Sequence, residues 1–452
     1  MIGFFRRLFK DRRGNVLAIA CAAMPMVIGC AGLATDTIEW TLWKRQLQRA
    51  ADSAAIAGVY ERVATNGGTS TVSATVTHDL TLNQHTWMGL KSGYPQVTFP
   101  ANSGVSINQV QVTLAIQQSL PFSSLFMSAA PIIVANATAA SVPSAGDACV
   151  QALEINGSSW GIKNNGNAGI YMPDCVMYSN SPATNTALAG GSSSVTAQAV
   201  AGVGGIQASN NWNVQAYRPY SPALADPFAG VTPNPSDMKC AGHWVTSGGK
   251  GSGTVTTWVN DALTSSTNMS AAVDANGNAA NCWTSMSVGS NTTLTVPSGF
   301  GPVYINGGDA NVQGNLSCTG CALVLTNSST ATNATIGKFS ANAGSNINLT
   351  APTTGTFAGI AIYQDRRATD SSPSNKVNGN DASIITGALY FPSQQLDYNG
   401  TGTTAAQCTM FVARRVQFTG NNTTTNKFKS MSDCAYAGLP GGGATRMVRL
   451  VA

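Results

Sequence analysis

Val16 to Ala34 (VLAIACAAMPMVIGCAGLA) is a run of 19 residues with no charged side chain, and it limits what the chain can be. As a helix it spans roughly 28 Å, close to the hydrocarbon thickness of a bilayer. Pro25 lies mid-run, where a membrane helix tolerates it. Arg6, Arg7, Lys10, Arg12 and Arg13 precede the run against only Asp11. A basic flank of this kind stays on the cytoplasmic side. The expected order is a cytoplasmic basic segment over residues 1–15, a transmembrane helix over 16–35, and an exported remainder. A cleaved secretory signal is the competing reading, with small residues near Ala31 and Ala34 as the cleavage context. The run exceeds the usual 7–15-residue signal core, and the sequence beyond it continues as helix. Both points favour an uncleaved anchor.

Asp36 to Ala64 contains no Gly or Pro before Gly58. Ile38, Leu42, Leu47, Ala50, Ala51, Ala54, Ala55 and Ile56 fall near one stripe, with Lys44, Arg45, Gln48, Arg49 and Asp52 mostly opposite. This predicts one helix of roughly 73 Å, in lipid first and amphipathic over 36–64, stopped by Asn66-Gly67-Gly68. Leu47, Ala50, Ala51, Ala54 and Ala55 form a contact stripe whose small side chains permit close approach. Packing against the chain's own β part and packing against another subunit both remain open.

Past residue 65 the pattern changes. Charged residues are 10% of the chain, against about 25% in an ordinary soluble domain. The basic start holds nearly all of the net charge of +5, so the remainder is close to neutral. That excludes the basic face of a nucleic-acid binder. Short β-type runs alternate with Gly, Asn and Ser clusters, among them Gln109–Ile116, Val195–Val203, Ala322–Leu325, Gly359–Gln364 and Met410–Phe418. The expected class is mainly β: a small β-rich segment over 65–148, then a disulfide-containing β domain over 149–452. Recurrent phrases such as GNAGIYM, GDANVQG and ARRVQFTGN suggest a parallel β-helix or another stacked solenoid. A Greek-key sandwich is the alternative. Residues 212–240 interrupt the pattern, with Pro219, Pro222, Pro227, Pro233 and Pro235 among Trp212, Tyr217, Tyr220 and Phe228. They form either a linker between β halves or a loop covering the solenoid. A sugar-binding aromatic groove there is the weaker reading beside ordinary packing.

Cys21 and Cys30 lie in the apolar run and act as small apolar side chains. The other eight, Cys149, Cys175, Cys240, Cys282, Cys318, Cys321, Cys408 and Cys434, lie in the exported part. An even set there reads as disulfides formed in an oxidising compartment. Pairing between sequence neighbours (149–175, 240–282, 318–321, 408–434) is expected if turns of a β stack bring them close. Cys318-Thr319-Gly320-Cys321 precedes a strand-like run rather than a helix, so it reads as a structural bridge and not a redox site.

No nucleophile, metal or nucleotide motif is present. His78, His85 and His243 are isolated. Asp365-Arg366-Arg367 is the nearest approach to a polysaccharide-cleaving constellation, and reads more simply as a loop charge pair. No catalytic residue, metal or cofactor is therefore expected.

Arg12-Arg13-Gly14-Asn15, the apolar run, Gly32-Leu33-Ala34-Thr35-Asp36, and Lys44-Arg45-Gln46-Leu47-Gln48-Arg49-Ala50-Ala51-Asp52-Ser53-Ala54-Ala55 together resemble the amino-terminal segment of the TadE/TadG-like Flp pilus-assembly proteins. Val110 to Ala140 is similar to the β segment that follows in that family. The resemblance implies a bitopic inner-membrane protein, its bulk periplasmic or at the cell surface, in a tight-adherence pilus machine. Its implied partners are other pilus-assembly proteins and the lipid around residues 16–35, with no nucleic acid. Processed prepilins of this system carry Glu five residues beyond the cleaved Gly. Counted from Gly14 that position is Ile19, which favours the TadG-like branch. Asp370-Ser371-Ser372-Pro373-Ser374 fits the DxSxS metal pattern of some relatives in letters only, because too few residues follow for a whole metal-binding α/β domain. Three function classes follow: an anchored structural or assembly component, a minor pilin or surface adhesin, and a β-helix carbohydrate-active enzyme.

Overall fold

Helix α1 runs unbroken from Asn15 to Ala64, 50 residues and about 75 Å, straight through Pro25. The computed structural model describes residues 15–83, 89–247, 255–370, 374–379, 383–399, 408–420, 423–440 and 444–451. The chain is mainly β, with 42% of the described residues in strands. It divides into two compact units, Met1–Val142 with Met447–Ala452, and Pro143–Arg446. The first unit is thus built from both ends of the chain.

In the first unit α1 stops where expected. Asn66 and Gly67 take left-handed backbone (φ 51° and 90°), and the Gly67 amide donates to the Arg62 carbonyl at 2.6 Å. A second helix, α2, follows over Val72–Asn83. This stretch falls within the segment expected to be β-rich, and its Val and Thr residues are poor helix formers. Val72, Val76 and Leu80 recur every four residues, however, and all three are buried. Burial of that stripe decides the conformation over intrinsic propensity. Strands β1 (Gln96–Thr98), β2 (Ile107–Gln117) and β3 (Ile132–Ala152) pair antiparallel in the order β1-β2-β3. Val110, Val112, Leu114 and Ile116 from β2 and Ile133, Ala135, Ala137 and Ala139 from β3 face one core with α1 and α2. Each is two residues from the next, as a half-buried strand requires. Val448, near the carboxyl end, packs against the same core.

The second unit is a parallel β-helix. One column of parallel strands runs Cys282–Trp283, Val303–Asn306, Leu323–Thr326, Ile360–Gln364, 387–391, 409–413, 148–152, 176–179, 199–202 and 216–218. A second column runs Leu263–Thr264, Met286–Val288, Ala310–Val312, 339–341, 375–377, 396–398, 416–418, Ile162–Asn164 and Ala187–Ala189. Shorter ladders on a third side join Thr293–Val296, Asn315–Thr319, 346–350 and 384–386, and likewise Thr423–Thr425, 169–172, 194–197 and 212–214. Parallel stacking on successive sides is a solenoid, not the sandwich held as the alternative.

The order of coils in this stack is not the order of the chain. The chain enters at residues 148–152, in the middle, and winds to one end at 216–218. Residues 219–240 then carry it to the other end, and it winds back from 263 until 409–413 lies beside 148–152. In the first column Val303, Leu323, Ile362, Leu389, Phe411, Val150, Met177 and Val200 point inward and are buried. Their neighbours Tyr304, Val324, Tyr363, Tyr390, Val412, Gln151, Tyr178 and Ala201 point to the opposite face, and they too are buried. A sheet buried on both faces reads as a continuous apolar run, which is the pattern of Ala322–Leu325 and Gly359–Gln364.

Candidate functional site

The contact stripe of α1 is occupied by the chain itself. Leu47, Ala50, Ala51, Ala54 and Ala55 are at most 5% exposed, packed against β2, β3 and α2. Of the two readings left open, the structure shows the stripe packed against the chain's own β part. Ala side chains let the helix lie close to the sheet, and the chain's own strands fill that space. At Gly58 the approach is closest: a Cβ there would stand 2.8 Å from Val110 and 3.2 Å from Val72. Ile38 and Leu42 do not continue the buried stripe; they are 58% and 50% exposed. The polar side of the helix is also used. Lys44 donates to the Val134 carbonyl, Gln48 to that of Asn136 at 2.8 Å, and Arg62 to that of Gln109 at 2.7 Å.

Asp36, just past the apolar run, was not singled out from sequence. It is 3% exposed. Its carboxylate accepts from the amides of Phe122 (2.9 Å) and Ser123 (2.5 Å) and from the Ser123 hydroxyl. Burial pushes this carboxyl up, but the three donors outweigh it and hold it below the usual carboxylate range.

Of the interrupting residues 212–240, Trp212–Arg218 is a strand of the stack rather than loop, and residues 219–240 form a strap over the outer face of the first column. From one end to the other, Tyr178 donates to the Pro222 carbonyl, Asn180 to Leu224 (2.8 Å), Gln151 to Ala225 (2.9 Å) and Tyr363 to Val231 (3.0 Å). At mid-length Asp226 accepts from Arg366 at 2.7 Å and from the Tyr390 hydroxyl at 2.8 Å. Arg366 also donates to the Phe228 carbonyl at 2.6 Å, and the Phe228 ring meets Tyr390 edge-on at 5.3 Å. Burial beneath the strap, with Asp365 near one hydroxyl and Asp226 at the other, pushes Tyr363 and Tyr390 far above the ordinary phenol value. Tyr304, also buried and with Asp237 near, is pushed up to about 12. Trp212 and Phe228, two aromatics proposed for a groove, are buried in the core.

Asp365, Arg366 and Arg367 are all engaged. Asp365 pairs with Arg367 at 2.7 Å and accepts from the Thr326 hydroxyl at 2.7 Å. Burial opposes its ionisation, and these donors reverse that, holding it below the usual range. These three residues fasten the strap and a corner of the stack. A second charge cluster lies where the first and last coils meet. The Glu154 carboxylate, with no exposed side-chain surface, pairs with Arg414 and Arg415, both at 2.9 Å. Asp370 pairs with the same two arginines at 3.2 and 2.8 Å. Burial would raise Glu154, but the arginines and the Asn156 amide lower it. Ser371, Ser372 and Pro373 of the DxSxS pattern lie outside the described residues, as does His85. Among the described residues no group of three or more His, Cys, Asp or Glu is placed to hold a metal.

The eight exported cysteines form the pairs Cys149–Cys175, Cys240–Cys282, Cys318–Cys321 and Cys408–Cys434, with Cα separations of 5.6, 4.1, 5.9 and 5.4 Å. Cys240–Cys282 pins the far end of the strap to the end coil of the stack, where the chain resumes winding. Cys21 and Cys30 are unpaired. Two surface features remain. A hairpin of Gly242–Ser247 and Val255–Asn260 exposes Trp244, whose ring meets Trp258 at 5.2 Å. A cavity of about 480 Å³ is lined by Asp237, Asn281, Pro302, Tyr304, Phe357 and neighbouring loop glycines.

No curated protein and no solved structure matches this chain. The apolar run and the Ala-rich stripe belong to one continuous helix, and residues 14–64, which cover it, match the family model for putative Flp pilus-assembly TadE/G-like domains.

Proposed function

We propose that the chain is an inner-membrane-anchored structural or assembly component of a Flp/Tad-type pilus system, of the TadG-like branch. Residues 1–15 lie in the cytoplasm, 16–35 in lipid, and the bulk in the periplasm or at the cell surface. The observation that carries this reading is the continuity of α1. The uncharged run and the buried stripe are halves of one helix, so the helix that enters lipid continues into a folded core. A cleaved leader has no such second role. The eight paired cysteines fit an oxidising compartment.

The work of such a component is mechanical. The β stack offers contact surfaces to other pilus-assembly proteins, and the exposed tryptophan hairpin and the outer edge of Trp212–Arg218 are suited to this. Among the described residues no strand pairs that edge, and an open edge can accept another strand. The carbohydrate-enzyme alternative loses its best residues, because Asp365, Arg366 and Arg367 are tied into the scaffold. Fractionation after mechanical shearing tests the reading. Retention in the inner membrane with loss of piliation on deletion is expected. Recovery with sheared filaments would make it a minor pilin or adhesin instead.

A further inference from the structure

Between β2 and β3 the chain makes a short turn, Ser123–Leu125, that lies against α1. Asp36 clamps its start through Phe122 and Ser123. One helical turn back into the apolar run, the Phe122 ring sits on Gly32, so close that any Cβ at position 32 would overlap it. Phe126 stands 5.3 Å from Phe122, centroid to centroid. Leu125 and Phe126 are 73% and 75% exposed, and Met127 is 50% exposed. No charged residue occurs between Lys91 and Asp147. Leaving three such side chains in water forgoes the burial that normally stabilises apolar groups.

We propose that this turn is a second membrane contact, with Leu125, Phe126 and Met127 entering the acyl region of the leaflet that α1 leaves at Asp36. The proposal rests on the reading of α1 as an anchor. Depth is what selects lipid over a protein partner. Gly32 belongs to the uncharged run, so the ring stacked on it, and the ring beside that, are held at the level of the run. Toward the outside, Trp40 is 42% exposed, with Lys44 and Arg45 just beyond. An aromatic followed by basic residues is the order found at a headgroup boundary. Burying a few apolar side chains at the acyl boundary is how peripheral segments hold to a bilayer. Two points of attachment, helix and turn, set the tilt of the amino-terminal unit against the membrane.

The test uses the full chain carrying Cys21→Ala and Cys30→Ala in phosphatidylcholine/phosphatidylglycerol vesicles with acyl-brominated lipid. An environment-sensitive fluorophore is attached at Phe126→Cys, at Leu125→Cys, at Ile28→Cys within the run, or at Tyr171→Cys on the β-helix. Severalfold quenching is expected at 28, 125 and 126, and none at 171. Quenching at 28 with neither 125 nor 126 quenched overturns the proposal and leaves the anchor standing. It would assign the turn to a protein partner instead. An unquenched probe at 28 removes the anchor and the proposal with it.

Discussion

Val150 lies in parallel register beside Phe411, although most of the chain separates them. The first coil of the β-helix is therefore a middle rung, with later sequence stacked beneath it and the next coil above. Until residues 409–413 arrive, the strand 148–152 has a pairing partner on one edge only. The strap follows from the same arrangement, because a chain that starts in the middle must travel back along the stack. That journey is why the outer face of the first column is buried, and why it carries tyrosines with their hydroxyls toward the strap.

Glu154 secures this seam. In Glu154→Gln the arginines lose their buried partner. Breaking a fully buried pair costs about 3–5 kcal/mol; here Arg414 and Arg415 reach solvent in part, so about 2–3 kcal/mol is expected. The pH dependence has a definite sign. A carboxyl held low in the folded state stabilises above its unfolded pKa, about 4.3, and that contribution is lost as pH falls through the lower folded value. Wild-type stability should therefore drop below about pH 4.5, and Glu154→Gln should show a shallower drop. Asp365, held low by Arg367, leaves a residual slope. Denaturant melts at a series of pH values measure both, and equal slopes would refute the assignment.

Asp226 is the strap's mid-point fastening. Asp226→Asn keeps the shape and removes the charge facing Arg366, so the strap should loosen by about 1.5–3 kcal/mol, the range for hydrogen bonds to charged groups. Limited proteolysis read by mass spectrometry should show faster cutting within 219–240 while the coils stay intact. Unchanged cutting there would mean that the tyrosine contacts suffice.

The elements set by local pattern could be read from the residues alone: the uncharged run, the helix through the Ala stripe, its stop at Asn66-Gly67, and the stacking of short β runs. The neighbour pairing of Cys149 with Cys175 follows from that stacking, since the strand 148–152 lies beside 176–179. Helix α2 was hidden because its Val and Thr residues favour strand, and only the core beneath Val72, Val76 and Leu80 reverses that. The seam was hidden because no local feature of Val150 specifies Phe411. The fastening roles of Asp226 and Glu154 depend on residues far away in sequence, and charge patterning does not reveal such pairs.

Gly58 marks the tightest contact between α1 and its sheet. Gly58→Leu puts a branched side chain where even a Cβ would stand 2.8 Å from Val110. Overpacking of a filled core costs about 1–3 kcal/mol, offset slightly by the better helix propensity of Leu. Hydrogen exchange of the full chain in detergent should speed up in α2 and β2. Exchange in the β-helix, which contributes no residue to this core, should not change. A uniform change across both units would contradict the separation into two cores.

The non-sequential stack makes one strong demand. Ser144 and Thr445 share a hydrogen bond at 2.8 Å, and Thr445 also donates to the Gly146 carbonyl at 2.8 Å. The two ends of the β-helix unit therefore lie side by side. Joining Arg446 to Pro143 through a short linker and opening the chain at the exposed Gly230 would give a permuted unit whose coils stack in chain order. Val150 would still meet Phe411, but across the new connection, and the strap would become two free ends. If the stack rather than the strap specifies the fold, this permutant keeps its β circular dichroism and all four disulfides, and loses only the strap's share of stability. Deleting residues 408–446 instead removes the rung beside Val150, and should leave the remaining coils insoluble. A permutant that fails to fold while its disulfides scramble would show that the unbroken strap is what aligns the coils.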